Sequence, residues 1–205
     1  MALETCGSRA FHSLLLGAHL SAYNEAGVMS MDCGFDCDLF RQYRVDLPYP
    51  AVAAQKVNDA YAKIISDAYA GKGSETTSIV QYVSHRYFTQ DYPEIFTAYK
   101  YIAFVEMTHF ELLGDLIKNL GSNPKLYSYE SGCYWNGQYA AYKWEMKSIL
   151  ETDIEGEKAA ISHYNRIIRW IPDKNIQALM RRIILDEERH IEILTGLYNQ
   201  INSMR

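Results

Sequence analysis

Two four-residue steps limit what this chain can become: Glu106-Met107-Thr108-His109 and Glu187-Glu188-Arg189-His190. On a helix, positions three apart share a face, so each step presents a carboxylate and an imidazole to one point. Both steps interrupt apolar stripes. One stripe runs Ile102, Glu106, His109, Leu113, Leu116, Leu120. The other runs Ile176, Leu179, Ile183, Glu187, His190, Leu194, Leu197, Ile201, with spacings of three and four that mark a core-facing seam. A glutamate on such a face is costly unless it is paired or holds a cation. A single Glu-x-x-His is commonly a solvated face, but two matched ones on apolar stripes need a common cause.

A partner glutamate precedes each step. Glu106 stands 31 residues after Glu75, and Glu187 stands 30 residues after Glu157. Helical rise explains the match. A helix that climbs from Glu75 to about Thr89, turns at Pro93 and returns to Glu106 brings both carboxylates to one height. The segment from Glu157 to Ile171, then from Lys174 to Glu187, does the same. Two such hairpins packed face to face would gather Glu75, Glu106, His109, Glu157, Glu187 and His190 in one layer. Near Glu157, Glu155 lies off the stripe and Glu151 more than a turn away, while Asp153 is a nearby competitor. Glu111, Glu188 and Glu192 read as surface residues. His85 and His163 read as partly buried histidines, with support of the ligands as the alternative.

The other elements follow in order. Residues 1–50 form a poorly patterned extension, with an amphipathic helix expected over 10–24. Two histidines within Phe11–Leu20, and Glu4 set against Arg9, disfavour a signal peptide there. A helical pattern begins at Ala51 and uses Val57, Tyr61, Ile64 and Ala68. Gly71-Lys72-Gly73 stops it, and Ser74 caps the helix that carries Glu75. Gly121 and Pro124 close the helix of the first step. A glycine- and aromatic-rich connection over about 123–138 is long for a simple turn. The third bundle helix begins between Tyr139 and Ser148 and uses Leu150, Ile154, Glu157, Ile161, Tyr164 and Ile168. No strand pattern competes. The division expected is a 1–50 extension and a 51–205 bundle.

Composition excludes some classes. The formal net charge of −5 gives no reason to expect a nucleic-acid partner. No run is long enough to predict a membrane span. Cys6, Cys33, Cys37 and Cys133 include no Cys-x-x-Cys, so Cys33 and Cys37 read as ordinary thiols rather than a zinc site. A reduced, cytoplasmic setting is expected.

The ligand pattern resembles that of the ferritin-like dimetal carboxylate proteins, in particular the manganese catalases with their spore-coat members, and the rubrerythrins. Residues Tyr69–Tyr87 are similar to the glycine-then-glutamate helix start of manganese catalases, and Val105–Leu112 to their second-helix motif. Asp186-Glu187-Glu188-Arg189-His190 reads equally like rubrerythrin. The resemblance spans roughly residues 50–200. It implies an all-α, ferritin-like four-helix bundle with one long crossover, plus extra N-terminal helices. It also implies two manganese or two iron ions per chain, held by Glu75, Glu106, His109, Glu157, Glu187 and His190. Glu106 would bridge the metals. In manganese catalases the residue matching Glu187 tends to hold solvent beside the metals as an acid/base group, whereas in diiron relatives it binds metal directly.

The activity expected is hydrogen peroxide disproportionation. The alternatives are a rubrerythrin-like diiron peroxidase or oxidase fed by an external donor, or a non-enzymatic coat or storage protein. The missing Cys-x-x-Cys pairs of a rubredoxin module favour disproportionation. Hydrogen peroxide or dioxygen would be the substrate. A homo-oligomer is expected, with residues 127–144 and the N-terminal arm as interfaces. A spore-coat location is the alternative to the cytoplasm.

Overall fold

The computed structural model describes residues 36–203. The helix expected over 10–24, and the Cys6 and Cys33 thiols, lie outside the described residues. The chain divides into compact units at 1–41 and 42–205. At the end of the first unit, Asp36 starts a short helix, α1 (Cys37–Gln42), by accepting the backbone N–H groups of Asp38 and Leu39.

In the second unit, residues 51–58 are extended rather than helical. Helix α2 (Asp59–Ala70) begins only where the Asn58 side chain accepts the Tyr61 N–H. Val57, expected on its buried stripe, therefore precedes the helix and is 76% exposed. The periodicity at Val57 was fortuitous, because the cap decides where a helix can start. At Gly71 a Cβ would lie 2.4 Å from the Asp67 carbonyl oxygen, so only glycine permits the chain to leave α2 this sharply. The hydroxyls of Thr76 and Thr77 donate to the carbonyls of Tyr69 and Gly71 across the break. Ser74 then caps α3 (Glu75–Arg86), which ends three residues before the expected Thr89 in a series of tight turns.

Pro93 opens α4 (Pro93–Asn119), where its missing N–H is not needed. Gly121, at φ +86°, closes it, with Ser122 N–H donating to Ile117. The crossover contains a minimal antiparallel pair that the sequence pattern did not reveal. Strand β1 (Tyr127–Ser128) pairs with β2 (Cys133–Tyr134) around Gly132, itself at φ +68°. Two residues per strand are too few to show alternation. Helix α5 (Met146–Trp170) follows, and Asp173 caps α6 (Lys174–Ser203).

Helices α3 and α4 form one hairpin, and α5 and α6 the other; α2 packs on α4, α3 and α5. The core is split. One apolar cluster joins Ile65 and Tyr69 of α2 to Leu113, Leu116, Ile167, Ile176, Leu179 and Ile183. The other joins Tyr82 to Ile95, Tyr99, Ile102, Ile149, Leu150, Leu194 and Leu197. In α5 the expected Leu150, Glu157 and Tyr164 are buried, joined by Ile149, Asp153 and Ile167, while Ile154, Ile161 and Ile168 are only partly buried, a shift of the stripe's phase. Among the described residues no helix is long and apolar enough to cross a membrane.

The end of the crossover is tied to the bundle by buried polar groups. Asp153 accepts from Tyr99 Oη, Gln81 Nε2 and His85 Nδ1 at 2.6, 2.7 and 2.8 Å. Lys143 N–H donates to His85 Nε2, and Ala141 N–H to Gln81 Oε1. The backbone donor leaves the His85 proton on Nδ1, facing the carboxylate. Asp153→Ala would strand three buried donors and is expected to cost about 3 kcal/mol. Denaturant unfolding of the metal-free protein measures this; a wild-type midpoint would show that the network does not hold the crossover.

Candidate metal centre

The polar layer between the two apolar clusters contains all six residues singled out by spacing. Glu75, Glu106, His109, Glu157, Glu187 and His190 are each at most 3% exposed. The broken first helix puts Glu75 in the first turn of α3, Glu106 and His109 stand mid-way along α4, Glu157 on α5, and Glu187 with His190 on α6. They form two groups. Glu75, Glu106, His109 and Glu187 offer ligand atoms within 4.8 Å of one another, as do Glu106, Glu157, Glu187 and His190. Glu106 and Glu187 belong to both.

The atoms point inward. His109 Nδ1 lies 3.3 Å from Glu187 Oε1, 3.7 Å from Glu106 Oε2 and 3.8 Å from Glu75 Oε2. His190 Nδ1 lies 2.9 Å from Glu106 Oε1, 3.1 Å from Glu187 Oε2 and 3.5 Å from Glu157 Oε1. Glu75 Oε2, His109 Nδ1 and Glu187 Oε1 are buried with no hydrogen-bond partner among the described residues. Each such group costs about 1–3 kcal/mol when unmatched, and here they face one another. Carboxylate oxygens and imidazole nitrogens in this arrangement fit two divalent first-row cations.

Three supporting residues were not assigned from the sequence. Tyr82 of α3 donates its hydroxyl to Glu157, and Tyr164 of α5 donates to Glu75. Each tyrosine stands seven residues after one partner glutamate and reaches the other. That repeated Glu-x6-Tyr spacing was the available signal. Asp186, next to Glu187, accepts from His109 Nε2 at 3.1 Å. A carboxylate that only accepts fixes the proton on Nε2 and leaves Nδ1 to a metal. His85 touches none of the ligands; it serves Asp153. Asp153 thus does not compete with Glu157, and Glu111, Glu151, Glu155, Glu188 and Glu192 are exposed.

Charge is unevenly spread. Burial, followed by the Glu106 and Glu187 charges, pushes the Glu157 carboxyl up to about 8. Burial and Glu106 raise Glu75 as well. Burial opposes ionisation of Glu106, yet the close polar groups of Glu75, His109 and His190 outweigh it and hold that carboxyl low. Burial would also lower the two histidines. Tyr49, Glu187, Asp186 and Glu106 outweigh it at His109, and Glu106, Glu157 and Glu187 do so at His190.

The rubrerythrin family profile matches residues 59–199. A bacterioferritin from Desulfovibrio desulfuricans is 27% identical over 151 residues, covering 71% of this chain and 80% of that protein. The crystal structure of that organism's bacterioferritin, described with a diiron site, has TM-score 0.61 and 25% identity, over 70% of this chain and 81% of that one. KatB, a manganese catalase from Anabaena, has TM-score 0.71 at 18% identity, over 77% and 79% of the two chains, a likeness of fold.

Metal binding must displace protons from this layer. Glu157, Glu75, His109 and His190 all have folded-state values raised above their unfolded ones. Their contribution to metal-free stability is full below the unfolded values and is lost as pH rises through the folded values. Glu106 and Asp186 are depressed, so their contribution is lost only on acidification. Between pH 6 and 8 the metal-free protein should therefore lose stability while Mn²⁺ affinity rises about tenfold per unit for each proton displaced. Thermal unfolding with and without Mn²⁺ should show a larger metal-induced rise in Tm at pH 8 than at pH 6. An equal rise at both would refute the proton displacement.

Proposed function

The chain belongs to the rubrerythrin family, and from that premise we propose that it is a dimetal carboxylate enzyme performing two-electron redox chemistry on hydrogen peroxide. The observation that carries this reading is the sharing of Glu106 and Glu187 between two buried ligand groups. Glu75 with His109 would hold one ion and Glu157 with His190 the other, with Glu106 and Glu187 available to both. A bound pair of iron or manganese ions would supply the two redox equivalents.

The protein's own groups do the remainder. Tyr82 and Tyr164 fix Oε1 of Glu157 and Oε1 of Glu75 by hydrogen bonds. The two apolar clusters exclude water from either end of the layer. The Glu157 carboxyl, at about 8, holds a proton at neutral pH until a cation takes its place.

The position of Glu187 bears on the finer reaction. Its two oxygens approach both histidines, which supports direct ligation, the arrangement implied by the diiron resemblance rather than the manganese catalase one. This favours a peroxidase or oxidase supplied by an external donor over the disproportionation expected from sequence. The bacterioferritin relative is described with a diiron site.

Metal analysis with peroxide assays tests both levels. About two ions per chain are expected, with peroxide consumed when a reductant is supplied and little oxygen released. Vigorous oxygen release without reductant would restore disproportionation; no metal after reconstitution would refute the dimetal reading. Glu106→Ala should lose dinuclear binding. Glu187→Gln should weaken metal binding at least tenfold if Glu187 is a ligand, whereas unchanged affinity would place it outside the ligand set.

A further inference from the structure

The two histidines are not held alike, and part of the difference comes from chain outside the family match. Asp186 is fully buried and receives more than His109. Val45 N–H donates to its Oδ1 at 2.7 Å and Tyr49 Oη to its Oδ2 at 2.6 Å. Arg182, one turn earlier on α6, places Nη1 2.8 Å from Asp186 Oδ2. The same guanidinium donates from Nη2 to the carbonyls of Val45 and Leu47 at 2.7 and 2.8 Å, and from Nε to Leu47 at 3.0 Å. Its carbon sits 4.4 Å from the centre of the Tyr49 ring. That ring meets the His109 imidazole edge-on, with centroids 6.1 Å apart. Residues 45–49 thus form a strap closed over Asp186 and His109.

Among the described residues the other half of the centre has no counterpart. Asp186 precedes Glu187 in one step, and the residue preceding Glu106 in the other is Val105, fully buried. Valine can accept nothing, and His190 Nε2 meets no hydrogen-bond partner among the described residues. One imidazole is therefore oriented and made more basic by a carboxylate that the strap holds in place; the other is not.

We infer that the 45–49 strap is a positioning device which makes the two metal sites unequal, so that the His109 site fills first and its affinity depends on Tyr49 acting through Asp186. This rests on the dimetal reading above. Tyr49 and Val45 precede residue 59, where the family match begins, whereas Asp186, Arg182 and Val105 lie within it.

The test is a calorimetric titration of the metal-free full chain with Mn²⁺, followed by electron paramagnetic resonance to separate singly from doubly loaded protein. Wild type should fill in two resolved steps. Tyr49→Phe should weaken the tighter step about tenfold and leave the weaker within about twofold. Asp186→Asn should act the same way and more strongly, and serves where Tyr49→Phe does not fold. His190→Asn should remove the weaker step and keep the tighter one. Two wild-type constants in both Tyr49→Phe and Asp186→Asn would overturn the inference, as would equal weakening of both steps, the mark of a merely structural strap. Wild type binding no pair of ions would instead overturn the dimetal reading, and this inference with it.

Discussion

The structure is governed by one costly placement: four carboxylates and two imidazoles share a dry layer between two apolar clusters. Such a layer is tolerable only if its charges are matched internally or by cations. In the metal-free protein, protons do the matching. Glu106 stays ionised against two protonated imidazoles, while Glu75 and Glu157 are driven toward the neutral acid. Loading is then an exchange of protons for metal in a site already shaped for metal. The apolar clusters on either side keep water from offering a cheaper solution.

That requirement explains why so much of the centre was legible in the sequence. A charged residue in an apolar seam is conspicuous, and helical rise turns the near-equal Glu75-to-Glu106 and Glu157-to-Glu187 separations into a common height. All six residues of the buried layer, the crossover and the last helix's seam could be read this way. What escaped lies where periodicity carries no information. The start of α2 was set by the Asn58 cap, not by the apolar spacing of Val57. The β1–β2 pair is too short to alternate. Asp186 was in view within its motif, but its partners Tyr49 and Val45 are separated from it by 137 and 141 residues, and no local pattern can disclose such a contact. Tyr82 and Tyr164 fall between these cases, since their seven-residue offset was visible but its crossed use was not.

The crossed tyrosines also show how far the two hairpins are equivalent. Each hairpin supplies a lone glutamate, a Glu-x-x-His step and a tyrosine that reaches across to the opposite lone glutamate. Taken alone, that symmetry would make the two metals interchangeable. It breaks at two positions. Val105 stands where Asp186 stands in the other step, and only Asp186 is reached by the strap.

Asymmetry of this kind matters for two-electron chemistry because the protein can then treat its metals differently. A histidine that donates to a buried carboxylate is a stronger and better oriented ligand than one without that partner. On the proposed reading, an ion beside His109 would be the more firmly held and one beside His190 the more exchangeable. The shared glutamates would fix both ions in a bundle common to relatives of differing chemistry, KatB and bacterioferritin among them. Tyr49 stands nine positions before the Asn58 cap of α2, so a short segment ahead of the matched helices suffices to place a hydroxyl on the carboxylate beside Glu187.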